Sequence, residues 1–151
     1  MLRILKVGFI FLFLSNCGYA PIYSNQKDMD ITINIVGLEG EKNVNTFIAQ
    51  KLSKYKSENS GKTFDVKIIS GYEKESLTKN EAGNTTNFRL ILKVDFIVNI
   101  NGNIKKLNFI EKFDIEKDES LFEQNKYEKA VRKDMMDLII QKFVSKLLAV
   151  Q

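Results

Sequence analysis

Phe88-Arg-Leu-Ile-Leu-Lys-Val-Asp-Phe-Ile-Val-Asn-Ile100, followed by Asn101-Gly102, is the stretch that decides the fold of this chain. Apolar residues occupy every second position of the thirteen-residue run, which is typical of a strand with one buried face. Asn-Gly is the strongest short hairpin signal, because a type I′ turn needs positive φ at both central residues. The sequence therefore predicts a long strand that turns at Asn101-Gly102 and returns from Asn103 to about Lys117.

The returning segment also indicates a register. If Ile100 faces Asn103, apolar residues of the two strands meet on one face of the hairpin. The predicted pairs are Phe96 with Leu107, Val94 with Phe109, Leu90 with Phe113, and Phe88 with Ile115. Only Leu92 opposite Glu111 breaks the match, and a bulge or an edge position would accommodate it.

A strand and a helix are predicted near the start of the chain. Asp30 to Val36 alternates strictly, and Gly37 and Gly40 should break this strand. The helix that follows is predicted to be capped by Asn43. Its apolar face recurs at helical spacing, at Val44, Phe47, Ile48, Leu52 and Tyr55.

A second strand is predicted between this helix and the hairpin. Thr63 to about Tyr72 alternates, and its Ile-Gly ending indicates a bulge or bend. The polar segment from Leu77 to Thr86 predicts a loop.

The C-terminal segment predicts a long helix. Ser120-Leu-Phe-Glu123 has the pattern of a capping box, and the helix should run to about Leu148. In its charged first half, Tyr127 and Val131 are expected to face inward. The second half is apolar over more than half its circumference, which indicates packing on the sheet and a further contact, either with the protein's own core or with a partner.

Together these elements predict an α+β fold, with two helices packed on one face of a four-stranded mixed sheet in the order β-α-β-β-β-α. The strand-helix-strand start favours a right-handed parallel crossover. We expect one such domain, spanning residues 29–151.

The N-terminus has the pattern of a secretory signal. Arg3 and Lys6 precede a short apolar run that ends in Leu14-Ser-Asn-Cys17. This ending resembles the lipobox of bacterial lipoproteins, which implies cleavage of residues 1–16 and a covalent lipid on Cys17. The alternative is a plain signal peptide. Residues 17–28 are then a lipid-anchored tether that holds the domain close to the membrane.

Composition excludes several kinds of site. The chain has no histidine and one cysteine, so it lacks a Ser-His-Asp triad, a His-based metal site and, once Cys17 is acylated, a free thiol. We predict no catalytic residue, no metal and no cofactor apart from the lipid on Cys17. The enzymatic alternative is a carboxylate hydrolase built on Asp118 and Glu119, although no other candidate group clusters around them.

The charge balance does not indicate a nucleic-acid partner. Removing Arg3 and Lys6 with the leader lowers the formal net charge from +4 to +2. No block of like charge forms a basic stripe, so we predict no nucleic-acid binding.

Three segments together resemble the LptE family of lipopolysaccharide-assembly lipoproteins. They are Cys17-Gly-Tyr-Ala-Pro-Ile-Tyr23, Asn84-Thr-Thr-Asn-Phe-Arg-Leu-Ile-Leu-Lys-Val94 and Gln141-Lys-Phe-Val-Ser-Lys-Leu147. The resemblance implies a non-enzymatic lipoprotein, lipid-anchored at the periplasmic face of the outer membrane.

The same resemblance implies the partners. A member of this family plugs and helps to assemble an LptD-type outer-membrane β-barrel and assists delivery of lipopolysaccharide. Lys79 and Lys126 are the cations nearest to the family's ligand-contacting positions, so they are the predicted ligand-binding residues. The alternative is a lipid-anchored periplasmic binding module of another envelope-assembly system.

Overall fold

The structure is a computed structural model that describes residues 31–56 and 61–149. The predicted leader, the lipidation site Cys17 and the tether lie outside the described residues. The described elements are β1 (Ile31–Gly40), α1 (Lys42–Leu52), a 3₁₀ turn (Ser53–Tyr55), β2 (Lys62–Lys79), β3 (Thr85–Ile100), β4 (Asn103–Glu116) and α2 (Leu121–Ala149).

The predicted α+β fold and its β-α-β-β-β-α order are confirmed. The sheet has the strand order β1-β2-β3-β4, with β1 and β2 parallel and the other pairs antiparallel. Both helices contribute to one core with the same face of the sheet. The opposite face carries no helix in the described part of the chain.

The hairpin has the predicted register throughout β3 and β4. Ile100 pairs with Asn103, and every further predicted partner follows, including Leu92 opposite Glu111. Asn101 and Gly102 adopt φ of 51° and 88°, as a type I′ turn requires. β4 is an edge strand without a bulge, and Glu111 forms an ion pair with Lys142 of α2. The edge position therefore accommodates the carboxylate.

The loop predicted from Leu77 to Thr86 is wrong at both ends, because β2 continues to Lys79 and β3 begins at Thr85. Polar side chains pair across this part of the ladder, with 2.6 Å between the hydroxyls of Thr78 and Thr86. Cross-strand hydroxyl pairs stabilise a sheet that has no apolar alternation. The predicted bulge near Gly71 is also absent, since β2 pairs regularly with β3 there and its register shifts only after Ser76.

β1 does not end at Gly37 as predicted. The strand passes through a register shift between Ile35 and Gly37 and ends at Gly40, so only the second glycine terminates it. Gly40 has φ of +92°, and a Cβ there would lie 1.9 Å from the carbonyl oxygen of Ser70. Glycine is needed at this corner because β1 turns into α1 directly against the backbone of β2.

α1 buries the predicted apolar face through Val44, Ile48 and Leu52, each fully buried. Its N-cap is Glu41, so the prediction of an Asn43 cap is wrong. The backbone N–H of Glu41 donates to Ser70 O at 3.1 Å, which ties the start of the helix to β2 and determines where it begins.

Only one of the two hydrogen bonds of the predicted capping box forms at the start of α2. Ser120 Oγ accepts from the N–H of Glu123 at 3.4 Å, but the N–H of Ser120 donates to Asp118 rather than to Glu123. The apolar second half packs on the sheet, where Phe143 stacks on Phe96, and also contributes to a core shared with α1. The further contact that its width indicated is therefore the protein's own core.

The inward face of the first half of α2 differs from the prediction. Val131 is buried as expected, but Tyr127 is 52% exposed. Gln124 and Glu128 take the inward positions, because the stripe continues from Met135 back through Val131 at spacings of three and four residues. The polar side chains of Gln124 and Glu128 are therefore buried.

Candidate functional site

The two predicted ligand-binding lysines lie on separate elements. Lys79 is exposed at the end of β2 and pairs in the ladder with Thr85. Lys126 is exposed on α2, with its Nζ 3.5 Å from Glu123 one helical turn earlier. Their role in ligand binding stays a prediction, because each side chain belongs to an exposed surface without a surrounding site.

The most organised polar group of the described chain surrounds Glu128. This residue is 8% exposed and lies against β2. Its Oε1 accepts from the Tyr72 hydroxyl at 2.7 Å, and its Oε2 accepts from Lys74 Nζ at 2.6 Å. Arg132, one turn further along α2, has Nη2 3.6 Å from Oε1. The carboxylate is thus surrounded by three donors, which we call the Glu128 cluster.

Aromatic rings hold the two cations of the Glu128 cluster. The guanidinium carbon of Arg132 lies 4.1 Å from the centre of the Tyr72 ring, and Lys74 Nζ lies 4.4 Å from the centre of the Phe88 ring. Cations over ring faces are attracted to the negative face of the π-system. Each cation therefore has two contacts, one with the Glu128 carboxylate and one with the face of an aromatic ring.

The cluster changes the pKa values of its members in opposite directions. Burial raises the pKa of the Tyr72 hydroxyl, and the neighbouring Glu128 carboxylate raises it further, so Tyr72 stays a hydrogen-bond donor. Burial also opposes ionisation of Glu128, but hydrogen bonds from Lys74 and Tyr72 outweigh it and lower the pKa of this carboxyl. Glu128 is therefore ionised at neutral pH, and the site has the character of a structural ion cluster rather than of a general acid.

The uncovered face of the sheet is a second organised surface. Cross-strand charges pair along it, with Lys93 Nζ 2.9 Å from Glu73, Lys106 Nζ 2.7 Å from Asp95, and Arg89 in a two-pronged contact with Asp114 at 2.7 and 2.8 Å. Lys106 and Asn108 lower the pKa of the Asp95 carboxyl by hydrogen bonding. No helix within residues 31–56 and 61–149 covers this face, where the ion pairs connect adjacent strands beside isoleucines such as the buried Ile91 and the exposed Ile110.

Asp118, one of the two carboxylates considered for a hydrolase, belongs to the start of α2. Asp118 accepts from the N–H of Ser120 at 2.7 Å, and its own N–H donates to Gln124 Oε1 at 2.6 Å. Among residues 31–56 and 61–149, no group of three or more acidic side chains is placed to hold a metal ion. No helix within those ranges is long and apolar enough to cross a bilayer.

Sequence reasoning missed Glu128, although a signal existed. Gln124, Glu128, Val131 and Met135 follow the spacing of the apolar stripe, so extending that stripe toward the N-terminus places both polar residues inside. A buried glutamate is expected to have cationic partners. Arg132 at i+4 is one of them, but Tyr72 and Lys74 come from a strand more than fifty residues earlier.

Comparison with known proteins gives similarity in structure but not in sequence. No protein-family model matches the chain, and no curated protein matches it. The crystal structure of rare lipoprotein B from Shewanella oneidensis superposes with a TM-score of 0.60 at 16% identity, covering 78% of this chain and 96% of that one.

A second similar structure is the solution structure of an uncharacterized lipoprotein B from Nitrosomonas europaea, at 15% identity over 76% of this chain and 83% of that one. Its TM-score is 0.49. This structural similarity to a lipoprotein is consistent with the LptE-family resemblance of the sequence. At this level of identity the comparison shows the fold: this chain has the fold of rare lipoprotein B.

Proposed function

We propose that this protein is an outer-membrane lipoprotein, anchored through Cys17 at the periplasmic face, that plugs and helps to assemble an LptD-type β-barrel and assists delivery of lipopolysaccharide. The proposal combines the sequence resemblance to the LptE family with the fold shared with rare lipoprotein B. The protein acts by binding rather than by catalysis.

The observation that carries the proposal is the uncovered polar face of the sheet. The lumen of a large outer-membrane barrel is polar and wet, so a plug needs a surface that stays ordered while it is hydrated. The ion pairs Lys93–Glu73, Lys106–Asp95 and Arg89–Asp114 give such a surface on one side. The two helices cover the core on the other side of the sheet.

The anchor supports the same role. A lipid on Cys17 confines the protein to one membrane surface, which raises its effective concentration near a membrane-embedded partner without any new contact. Residues 17–28, the proposed tether, separate that lipid from the domain.

The decisive experiment is affinity purification of the lipidated protein from outer membranes, followed by identification of the co-purifying barrel. We expect an LptD-type barrel in stoichiometric amount. Depletion of the protein should reduce barrel maturation and lipopolysaccharide at the cell surface. Unchanged maturation and unchanged surface lipopolysaccharide would contradict the proposal. Recovery of a different envelope-assembly complex would favour the alternative of a periplasmic binding module.

A matched pair of variants tests whether the polar face is the contact. Exchanging the charges of one cross-strand pair, Glu73→Lys with Lys93→Glu, preserves the ion pair and the fold but reverses the charge pattern. We expect it to lower barrel recovery. The same kind of exchange on α2, Glu123→Lys with Lys126→Glu, also preserves an ion pair. This second exchange lies off the sheet and should leave barrel recovery unchanged.

A further inference from the structure

The outer edge of β4 carries backbone groups that no described segment pairs with. Lys117, directly after the strand, donates its N–H to Thr86 O at 2.8 Å, so the backbone of this odd-numbered position faces β3. In an antiparallel ladder without a bulge the backbone alternates, so odd-numbered residues of β4 bond to β3. The N–H and C=O groups of the even-numbered residues point away from the sheet. These residues are Ile104, Lys106, Asn108, Ile110, Lys112, Asp114 and Glu116.

β4 lacks most of the features that protect an exposed strand edge. Natural edges are short, bulged, interrupted by proline or charged. β4 has 14 residues and pairs with β3 without a register shift, and the one proline of the chain is Pro21. Lysines are the protective feature that it has, and Lys106 among them is paired with Asp95 on the sheet. A long and regular edge of this kind is open to pairing with another extended backbone.

An apolar groove of about 370 Å³ lies beside this edge, between β4 and α2. Val131 and Met135 form its buried floor, and Phe113, Tyr127 and Leu138 are exposed in its walls. Seven of the ten exposed large apolar side chains of the described chain lie on β4 or α2. The exposed apolar surface is therefore concentrated on the two elements that form the groove, which is typical of an interaction site.

We propose that β4 binds an extended segment of a partner polypeptide as a fifth strand, with the apolar side chains of that segment in the groove. Successive side chains of a strand point to opposite faces, so every second residue of the added strand lies on the helix side. Main-chain hydrogen bonds give affinity in such complexes, and pockets for alternate side chains give specificity. The ligand is therefore a segment in which apolar and polar residues alternate.

A second copy of this chain fits the groove less well than a separate strand does. The copy would pair through its own β4, whose helix-side residues Leu107 and Phe109 already pack against its own core. The side chains of a separate extended segment have no such contacts. They are therefore free to fill the groove when the segment pairs with the edge.

The identity of the partner rests on the proposed function. Strands of outer-membrane barrels alternate apolar and polar residues over about ten residues. A barrel strand that has not yet paired with its neighbours is therefore a segment of the required kind. The two proposals can fail separately, because absence of strand addition in a protein that still co-purifies with a barrel contradicts only this inference. Strand addition without a barrel partner contradicts only the proposed function.

Amide hydrogen exchange followed by NMR tests the inference on the full lipidated chain in a nonionic detergent. The probe is a blocked peptide of about ten residues in which valine alternates with threonine or serine. We expect the outward amides of Ile110, Lys112 and Asp114 to exchange at least about tenfold more slowly at saturating peptide. The amides of β1, at the other edge of the sheet, should keep their rates.

A peptide of the same composition without the alternation is the ligand control, and it should bind at least about tenfold more weakly. Equal protection by this control would overturn the proposal in favour of an unspecific apolar groove. Without peptide, protection of β4 that grows with protein concentration would overturn it in favour of a second copy. Protection in the free protein at every concentration would overturn it in favour of the chain's own N-terminal segment.

Three variants complete the experiment. Lys112→Pro removes an outward N–H and leaves the bonds to β3, since proline is tolerated in edge strands where the N–H faces solvent. Leu138→Glu places a charge in the groove, and Leu121→Glu is its control on the same helix, because Leu121 is exposed outside the groove.

We expect Lys112→Pro and Leu138→Glu each to weaken peptide binding by at least about tenfold, and Leu121→Glu to change it by less than about twofold. Equal binding by the two glutamate variants would overturn the assigned site. Leu138→Glu keeps this comparison decisive if the proline variant does not fold.

Discussion

Phe96 of β3 and Phe143 of α2 stack in the core with ring centroids 3.9 Å apart and ring planes within 12° of parallel. Both side chains are fully buried. Phe109 of β4 meets both rings edge-on, at 5.8 and 6.5 Å. This aromatic cluster joins the hairpin to the terminal helix, so the two parts of the chain stabilise each other.

Removing the ring of Phe143 should therefore be costly. We expect Phe143→Ala to lower the free energy of unfolding by about 3–5 kcal/mol, because it leaves a cavity beside Phe96. The measurement is urea denaturation followed by circular dichroism. Phe122→Ala is the control, since Phe122 lies on the same helix and is 73% exposed, and it should change stability by no more than about 0.5 kcal/mol. Similar losses for the two variants would contradict the packing role.

Glu128 should make stability depend on pH in the acid range. Its pKa is lower in the folded protein, so the folded state binds a proton less readily than the unfolded chain does. The stabilisation is complete above the unfolded pKa of about 4.3 and is lost as pH falls through the lower folded value. Glu128→Gln should remove this contribution to the free energy of unfolding, so that the free energy of unfolding depends less on pH in the acid range.

The same variant should be less stable at neutral pH. Lys74 and Arg132 lose their anionic partner, at a cost of about 1–3 kcal/mol. Denaturation curves recorded from pH 3 to 7 compare the wild type, Glu128→Gln and the exposed control Glu123→Gln. A wild-type curve that runs parallel to the Glu128→Gln curve throughout would contradict the assignment.

Gly40 should tolerate no side chain. Gly40→Ala would place a Cβ against the Ser70 carbonyl, in addition to the strain of its positive φ. Gly83 has a similar φ of +81° but open space around its missing Cβ, so Gly83→Ala should cost only about 1–2 kcal/mol. We expect Gly40→Ala to cost at least about 2 kcal/mol more than that, measured by thermal or urea unfolding. Equal costs would show that the corner can shift.

Cys17 is expected to carry the lipid that holds the protein on the membrane. Cys17→Ala should move the protein from the membrane fraction to the soluble periplasmic fraction, because acyl chains contribute about 0.8 kcal/mol per buried methylene. The circular dichroism spectrum should stay unchanged, since the described core lies entirely after residue 30. A Cys17→Ala protein that stays fully membrane-bound would contradict the lipoprotein assignment.

Local patterns predicted the elements that bury one continuous apolar face. The register of β3 on β4 followed from two facts in the sequence, the strict alternation of Phe88 to Ile100 and the Asn-Gly turn that fixes which residues face each other. The same logic identified α1 and the second half of α2. In these segments the buried face follows from the spacing of apolar residues that are close in the sequence, so the sequence alone predicts it.

Predictions failed where the deciding contact came from elsewhere in the chain. The polar ends of β2 and β3 looked like a loop, but their hydroxyls pair across the ladder. The sequence predicts Asn43 as the cap of α1, but the hydrogen bond from the Glu41 N–H to the Ser70 carbonyl sets the start of the helix. In both cases a hydrogen bond to another segment outweighs the local preference of the chain, over eight or nine residues in the first case and from Glu41 to Ser70 in the second.

The candidate sites show most clearly which features depend on neighbouring residues and which depend on packing between distant segments. The sequence by itself determined the fold order, the hairpin register and the position of the lone cysteine after the predicted leader, because each depends on residues that are close in the chain. Only the tertiary structure brought Tyr72 and Lys74 to Glu128. Burial and charge pairing depend on which elements meet, and that is decided by packing over long sequence separations.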